Sequence, residues 1–253
     1  MIDIRDIEAA AGRLAGVSVR TPLLQNHALD EEVGGKVLVK PECLQVTGSF
    51  KIRGAYNFLS QLTPEEAAKG VVAFSSGNHA QGVAAAGSLL GIKTAIVMPE
   101  DAPRAKLENT RRLGGEVITY DRYTGDREAL ARQIAAERGA VVVPSYDHDF
   151  IIAGQGTVGL EIAEQCAEFG TEPDHVLVCC GGGGLIAGSA TALKARWPNV
   201  SVHSVEPEGF DDTARSLLSG ERERIDGSAR SICDALQADS PGKLTFAINK
   251  HLL

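Results

Sequence analysis

One lysine is set apart by its neighbours. In Thr47-Gly48-Ser49-Phe50-Lys51-Ile52-Arg53-Gly54-Ala55, Lys51 follows small polar residues where an apolar, helix-forming segment begins. A lysine in a dry pocket loses proton affinity and becomes a nucleophile toward aldehydes. A lysine whose stem lies on an apolar face while its ammonium reaches water fits the same residues, and the stretch alone leaves both readings open. A second cluster is four consecutive glycines, Gly181, Gly182, Gly183 and Gly184, followed by Leu185-Ile186-Ala187-Gly188. Such a run lets the backbone approach an anion, and its N–H groups with the following helix N-terminus can cradle a phosphate. A tight strand-to-helix turn needs one glycine rather than four, so the cradle is the stronger reading. No Lys-Ser or Lys-Thr follows, so this is not a P-loop. A third cluster, Ser75-Ser76-Gly77-Asn78-His79, offers hydroxyls and backbone N–H groups at a helix start, suited to a carboxylate. Helix capping by Ser76 or Asn78 explains one of these residues but not the cluster. His79 alone reads as a packing or hydrogen-bonding imidazole.

These clusters need elements to hold them. Short apolar, β-branched runs occur at 36–42, 71–76, 93–99, 115–120, 140–146, 175–180 and 200–207. Each is near-continuously apolar, the pattern of strands buried on both faces. Ala-rich amphipathic segments such as 78–91 and 126–139 lie between them, the second closing on Arg138-Gly139, a helix C-terminal signal. Strand–helix alternation implies an α/β fold with parallel sheets, as one sheet or split between two lobes. Ligands should lie where loops leave the carboxyl ends of the strands. Gly154-Gln155-Gly156-Thr157-Val158-Gly159 matches a dinucleotide fingerprint literally, but the residues before it do not form a strand. It reads as a helix N-terminus with small residues for close packing.

The 253 residues suffice for one large domain or two modest ones, and the net charge of -8 argues against nucleic acid and anionic membranes as partners. No stretch has the length of a membrane span, and the N-terminus lacks the apolar run of a signal peptide. The five cysteines, at 43, 166, 179, 180 and 233, are irregularly spaced and odd in number, which fits a reducing cytoplasm rather than a disulfide framework.

A nucleophilic lysine together with a phosphate cradle suggests pyridoxal 5'-phosphate held as a Schiff base. The three motifs, in this order and spacing, closely resemble the fold type II pyridoxal-phosphate enzymes, in particular the threonine/serine dehydratase and serine racemase branch. The likeness runs from about Thr21-Pro22 to the end of the chain. It implies a two-lobed fold with mainly parallel open sheets flanked by helices, like the β subunit of tryptophan synthase. The larger, cofactor-binding lobe would comprise 1–69 plus 148–253 and the smaller, substrate-loop lobe 70–147. Lys51 resembles the Schiff-base lysine, Phe50 the residue beside the cofactor ring, and Asn78 the asparagine that hydrogen-bonds the pyridoxal 3'-oxygen. Gly181 to Gly184 and the Leu185 N–H resemble the phosphate loop. Ser75, Gly77 and His79 fall in the loop that binds substrate carboxylate. Ser76 matches the serine that, in racemases, protonates the face opposite the lysine.

Val205-Glu206-Pro207-Glu208-Gly209-Phe210-Asp211-Asp212 resembles a divalent-cation site of the same branch, made by Glu206, the Phe210 carbonyl and Asp212. All-oxygen ligation suits Mg²⁺, Mn²⁺ or Ca²⁺; without the resemblance, Asp211 and Asp212 would pass for a solvated helix N-terminus. The implied activity is a lyase acting on a small hydroxy-amino acid, L-threonine or L-serine, with Lys51 taking the Cα proton, the β-hydroxyl leaving, and a 2-oxo acid and ammonia released. A 3-hydroxyaspartate dehydratase and a serine racemase are the alternatives within the class. A non-catalytic protein binding a phosphate ligand or a partner is the alternative outside it. A homodimer is the expected assembly. Two departures stand out. Relatives run longer, so the segment facing the pyridine nitrogen is expected beyond Leu253. Ser231-Ile232-Cys233-Asp234-Ala235-Leu236-Gln237 occupies a cofactor-side loop where relatives often carry Asp-Gly, with Ala235 in the place of that glycine.

Overall fold

The computed structural model of the protein describes residues 1–75, 77–121, 123–226 and 229–253. In chain order the elements are α1 (Ile4–Leu14), β1 (Leu24–Gln25), α2 (His27–Val33), β2 (Leu38–Val39), α3 (Lys51–Leu59), α4 (Pro64–Lys69), β3 (Val71–Phe74), α5 (Asn78–Leu90), β4 (Thr94–Pro99), α6 (Arg104–Arg112), β5 (Glu116–Tyr120), α7 (Arg127–Arg138), β6 (Val141–Val142), α8 (Asp149–Glu168), β7 (His175–Cys179), α9 (Gly184–Arg196), β8 (Ser201–Val205), α10 (Asp212–Ser219) and α11 (Lys243–Leu252). Two 3-10 turns, Glu42–Leu44 and Asp234–Leu236, complete the set.

The fold is α/β with parallel sheets flanked by helices. Strands β5-β4-β3-β6 form a four-stranded sheet whose pairings are all parallel, and β7-β8 form a parallel pair. Every residue of β4 is buried, as the unbroken apolar run at 93–99 requires of a central strand. The predicted run at 140–146 pairs over only two residues before Pro144, which has no N–H to give to a ladder. The run at 36–42 is likewise reduced to β2, which pairs antiparallel with β1. With two residues, β1 carries no periodic signal. Strands β7 and β8 depart from burial on both faces: His175, Leu177 and Cys179 are exposed, because one side of this pair packs on α9 while alternate residues face away from it.

Helices α3, α5, α8 and α9 cross at glycines. A Cβ on Gly154 would stand 2.5 Å from the Arg53 carbonyl of α3, and one on Gly159 would stand 2.6 Å from Ser189 of α9. A Cβ on Gly188 of α9 would in turn overlap the Ile152 carbonyl of α8. Residues 154–159 are therefore a packing surface inside α8, and their glycines let backbones touch where any side chain would force the helices apart. One apolar cluster joins Ile52 and Phe58 of α3 to Val83, Ile96 and Met98 around the four-stranded sheet. Another gathers Ile186, Leu193, Trp197 and Val202 around β7-β8. Helix α3 carries the first lysine motif, and α9 is entered through the glycine run.

Candidate active site

Lys51 is the first residue of α3. Its Nζ donates to the Ser145 carbonyl at 2.8 Å and lies 5.3 Å from the centroid of the Phe50 ring. Helix α5 presses on it from the side: a Cβ on Gly82 would come within 3.0 Å of the Lys51 carbonyl carbon. Burial pulls its pKa from 10.5 to about 8, against a weak opposing pull from Cys179. The lowered pKa favours a desolvated amine over a lysine whose ammonium reaches water. Beside it the hydroxyls of Thr47 and Ser49 are buried without a hydrogen-bond partner, polar groups of a kind that normally find one.

The glycine loop lies across the next residues of the same segment. Tyr146 packs its ring on Gly182, where any Cβ would overlap it, and a Cβ on Gly184 would stand 2.6 Å from Gln155 Oε1, an oxygen with no partner. Gly183 has φ of +91° in the left-handed region, which favours glycine, and its Cβ position is filled by Asn249 and Thr245. Ala235 and Leu236 close the Gly181 side, each at 3.5 Å from where its Cβ would be. Leu185 is buried in the first turn of α9. Lys51 and the cradle are thus joined through adjacent residues, Ser145 and Tyr146. An amine of lowered pKa, unpartnered hydroxyls and a glycine loop without room for side chains fit a phosphate-bearing aldehyde such as pyridoxal 5'-phosphate.

In the third motif Gly77 N–H donates to Ser75 Oγ at 3.2 Å, and Asn78 opens α5. Ser76 lies outside the described residues. His79 is 4 % exposed, and its Nε2 is 3.2 Å from the Val143 carbonyl. A carbonyl only accepts, so Nε2 carries the hydrogen. Burial, then the charge of Lys51, lowers the imidazole's pKa to about 3, so His79 is neutral and aimed at Val143. The cation at this loop is instead Lys106 of α6, whose Nζ is 3.5 Å from the Cβ position of Gly77 and is ion-paired with Asp234.

Below α3, Arg53 is 0 % exposed and fully engaged. Its guanidinium donates to Glu42 (2.8 and 2.9 Å), to Glu161 (2.6 and 2.9 Å), to Thr157 Oγ1 and to the Val19 carbonyl. Lys40 joins Glu161 at 2.5 Å. Two carboxylates against two cations, with the donors used, is the arrangement that lets charges be buried.

At the third loop Glu206 accepts N–H bonds from Thr213 and Ala214, both at 2.9 Å, and so caps α10. Asp212 is 1 % exposed and neither of its carboxylate oxygens has a partner, while Phe210 is buried beside them in sequence. Burial, then the charge of Glu206, raises Asp212 to about 7. The solvated reading of Asp212 fails on that burial. Among the described residues no cluster of three or more His, Cys, Asp or Glu converges on a point; a ligand set of two carboxylates and a carbonyl would not form one.

Sequence reasoning missed Ser145, Tyr146, Lys106 and Thr245. A signal existed for the first two: they end the run at 140–146, just past the carboxyl end of the parallel strand β6. Lys106 and Thr245 are ordinary helix residues whose importance is tertiary.

The family profile described as pyridoxal-phosphate dependent enzyme matches residues 15–253. An L-threo-3-hydroxyaspartate ammonia-lyase of Pseudomonas sp is 46% identical over 243 residues, covering 96% of this chain and 75% of the relative. The crystal structure of the threonine deaminase of T.th. superposes with a TM-score of 0.93 at 43% identity, covering 100% of this chain and 80% of that one. The structure of maize serine racemase superposes with a TM-score of 0.94 at 41% identity, covering 99% and 74%. With the family profile matching 15–253 and the lysine and glycine motifs on an α/β scaffold, this chain belongs to the pyridoxal-phosphate dependent enzyme family.

Proposed function

We propose that this protein is a pyridoxal-phosphate-dependent ammonia-lyase that converts L-threonine or L-serine to a 2-oxo acid and ammonia. One observation carries the reading: Lys51 Nζ, lowered to about 8, is held by Ser145 while the adjoining Tyr146 lies on the glycine loop, so base and anion cradle form one site. When bound, the cofactor supplies an electron sink for a carbanion at the substrate Cα. The chain's own residues do the rest. Lys51 would hold the cofactor and, as a neutral amine, would take the Cα proton. Phe50 would pack beside the ring, Gly181 to Gly184 and Leu185 would hold the phosphate through backbone N–H groups, and Asn78 would hydrogen-bond the 3'-oxygen. Ser75, Ser76, Gly77 and the N-terminus of α5 would take the substrate carboxylate, and Ser76 matches the serine that in racemases protonates the face opposite the lysine. His79, neutral and turned toward Val143, supports that loop by its backbone rather than by charge.

The reading includes two lobes, 70–147 and 1–69 plus 148–253, with substrate between them. The separation of β5-β4-β3-β6 from β7-β8 supports it. It also includes one divalent cation, Mg²⁺, Mn²⁺ or Ca²⁺, held by Glu206, the Phe210 carbonyl and Asp212. Support comes from the two unpartnered oxygens of a buried Asp212, an arrangement a cation would relieve. Among the described residues no helix is long and apolar enough to cross a membrane, and the cysteines Cys43, Cys166, Cys179, Cys180 and Cys233 are free. A cytoplasmic location and a homodimer complete the proposal, the latter testable by sedimentation.

The relatives act on threonine, serine or hydroxyaspartate, as their names state. A keto-acid assay over L-serine, L-threonine and both 3-hydroxyaspartate diastereomers, with chiral analysis of unreacted substrate, separates the lyase reading from the hydroxyaspartate and racemase alternatives. Fastest keto-acid release from threonine or serine, lost in Lys51→Ala, is the expected result. Absence of both cofactor absorbance and turnover in the wild type would refute it.

A further inference from the structure

Helix α11 forms one side of the glycine loop. Gly182 offers one carbonyl, and two groups of the C-terminal segment take it: Thr245 Oγ1 donates at 2.7 Å and Gly242 N–H at 3.3 Å. Thr245 is fully buried. Its own position is set by Asp147, whose carboxylate accepts the N–H groups of Lys243, Leu244 and Thr245 at 2.9, 2.8 and 3.2 Å. Asp147 is the next residue after Tyr146, which lies on Gly182, and Ser145 before it holds Lys51. A single tripeptide therefore ties the lysine, the glycine loop and α11 together.

The peptide between Gly182 and Gly183 is planar and trans, so its C=O and N–H point in opposite directions. Fixing the Gly182 oxygen on α11 aims the Gly183 N–H away from α11. Without that anchor the plane is free to turn, because glycines on both sides accept almost any φ and ψ. The left-handed Gly183 is in direct contact with α11: its Cβ position lies 3.0 Å from Thr245 Oγ1 and 2.9 Å from Asn249 Nδ2. The Asn249 carboxamide is itself fully buried with neither polar atom partnered. It adds no competing hydrogen bond to the anchor that Thr245 makes.

We propose that Thr245 is a positioning residue for anion binding: its hydroxyl, set by Asp147, locks the Gly182–Gly183 peptide so that the Gly183 N–H faces the cofactor phosphate. This rests on the phosphate-cradle reading and goes beyond it by placing the control of the cradle in α11, 63 residues along the chain from Gly182.

The test uses apoprotein, with inorganic phosphate and pyridoxal 5'-phosphate as probes. Thr245→Val removes the hydroxyl at nearly constant volume, and Thr245→Ser restores it. Dissociation constants come from calorimetry for phosphate and fluorescence titration for the cofactor. Both should weaken about tenfold in the valine variant and return to within about threefold of wild type in the serine variant, the scale of one charge-assisted hydrogen bond lost and regained. A folded Thr245→Val protein with wild-type affinities overturns the proposal, as does a serine variant as weak as valine. In the wild-type apoprotein, whatever the variants do, the Gly183 amide proton should move downfield on phosphate addition. An unmoved Gly183 with other amides of 181–185 shifting overturns the Thr245 mechanism alone. No binding of either probe by the wild type overturns the cradle reading with it.

Discussion

Lys106 and Asp234 are ion-paired across 128 residues of sequence, and the end of the lysine lies against Gly77 of the proposed carboxylate loop. The next residues after Asp234 lie against Gly181, so the pair closes a circuit between the two ligand loops. Both side chains keep solvent contact, Asp234 at 69 % exposure, so the pair contributes little to stability. Lys106→Met and Asp234→Asn should each leave the melting temperature within about 4 °C of wild type. Each should raise the KM for the preferred amino acid, on the order of threefold to tenfold, through loosened loop closure. Added salt should raise the wild-type KM and leave that of Asp234→Asn nearly flat. Unchanged KM in both variants at low salt removes the pair from the binding step.

Lys51 sets a pH dependence of definite sign. Its amine has a folded pKa of about 8 against 10.5. The neutral, nucleophilic form therefore appears at lower pH than for an ordinary lysine. The rate of cofactor attachment to apoprotein should rise with pH to a midpoint near 8. The charged form is the one that burial penalises, so its cost to stability is full below pH 8 and vanishes as the pH passes 10.5. Lys51→Met apoprotein should melt above wild type at pH 7, with the gap closing toward pH 10.5. A gap independent of pH, or an attachment midpoint at the ordinary lysine value, counts against a desolvated amine.

Gly183→Val should be worse than a generic cavity-wall change. It forces a β-branched residue into φ of +91° and drives its Cβ into Asn249 and Thr245. Positive φ for such a residue costs roughly 1–2 kcal/mol before the collision is counted. A melting temperature lowered by several degrees and cofactor affinity lowered at least about tenfold are expected. Wild-type affinity in this variant would exclude the loop as the phosphate site.

Arg53 is the stability hinge under the active helix. Arg53→Met keeps bulk but leaves Glu42 and Glu161 buried against the remaining charge of Lys40. Losing one side of a buried charge network costs about 3–5 kcal/mol, so urea unfolding should show a midpoint far below wild type. Glu42→Gln, which retains an acceptor, should cost less. Equal midpoints for Arg53→Met and wild type would show that the network does not support α3.

The cation site is tested by stripping the protein with EDTA and returning Mg²⁺, Mn²⁺ or Ca²⁺ while following melting temperature and turnover. Stabilisation of a few degrees that saturates with metal and disappears in Asp212→Ala is expected. If neither quantity responds and Asp212→Ala matches wild type, Glu206 is only the cap of α10.

Some of this was legible in the residues alone. The apolar run at 93–99 is buried at every position of β4, and the signal at Arg138-Gly139 ends α7, because burial pattern and capping are local. The glycine run between β7 and α9 was legible for the same reason: four residues without side chains declare a backbone that something must approach. The literal dinucleotide pattern at 154–159 failed as a fingerprint on local context and proved to be where α8 meets α3 and α9. What local pattern could not decide is which groups meet. Lys51 titrates near 8 because α5 and residues 145–146 enclose it. His79 is neutral because it is buried and lies near the charge of Lys51. Asp212 is buried while Asp211 beside it pairs with Arg215. Thr245 reaches Gly182 over a long stretch of chain. Each outcome depends on desolvation and on partners distant in sequence, and those quantities exist only once the chain has folded.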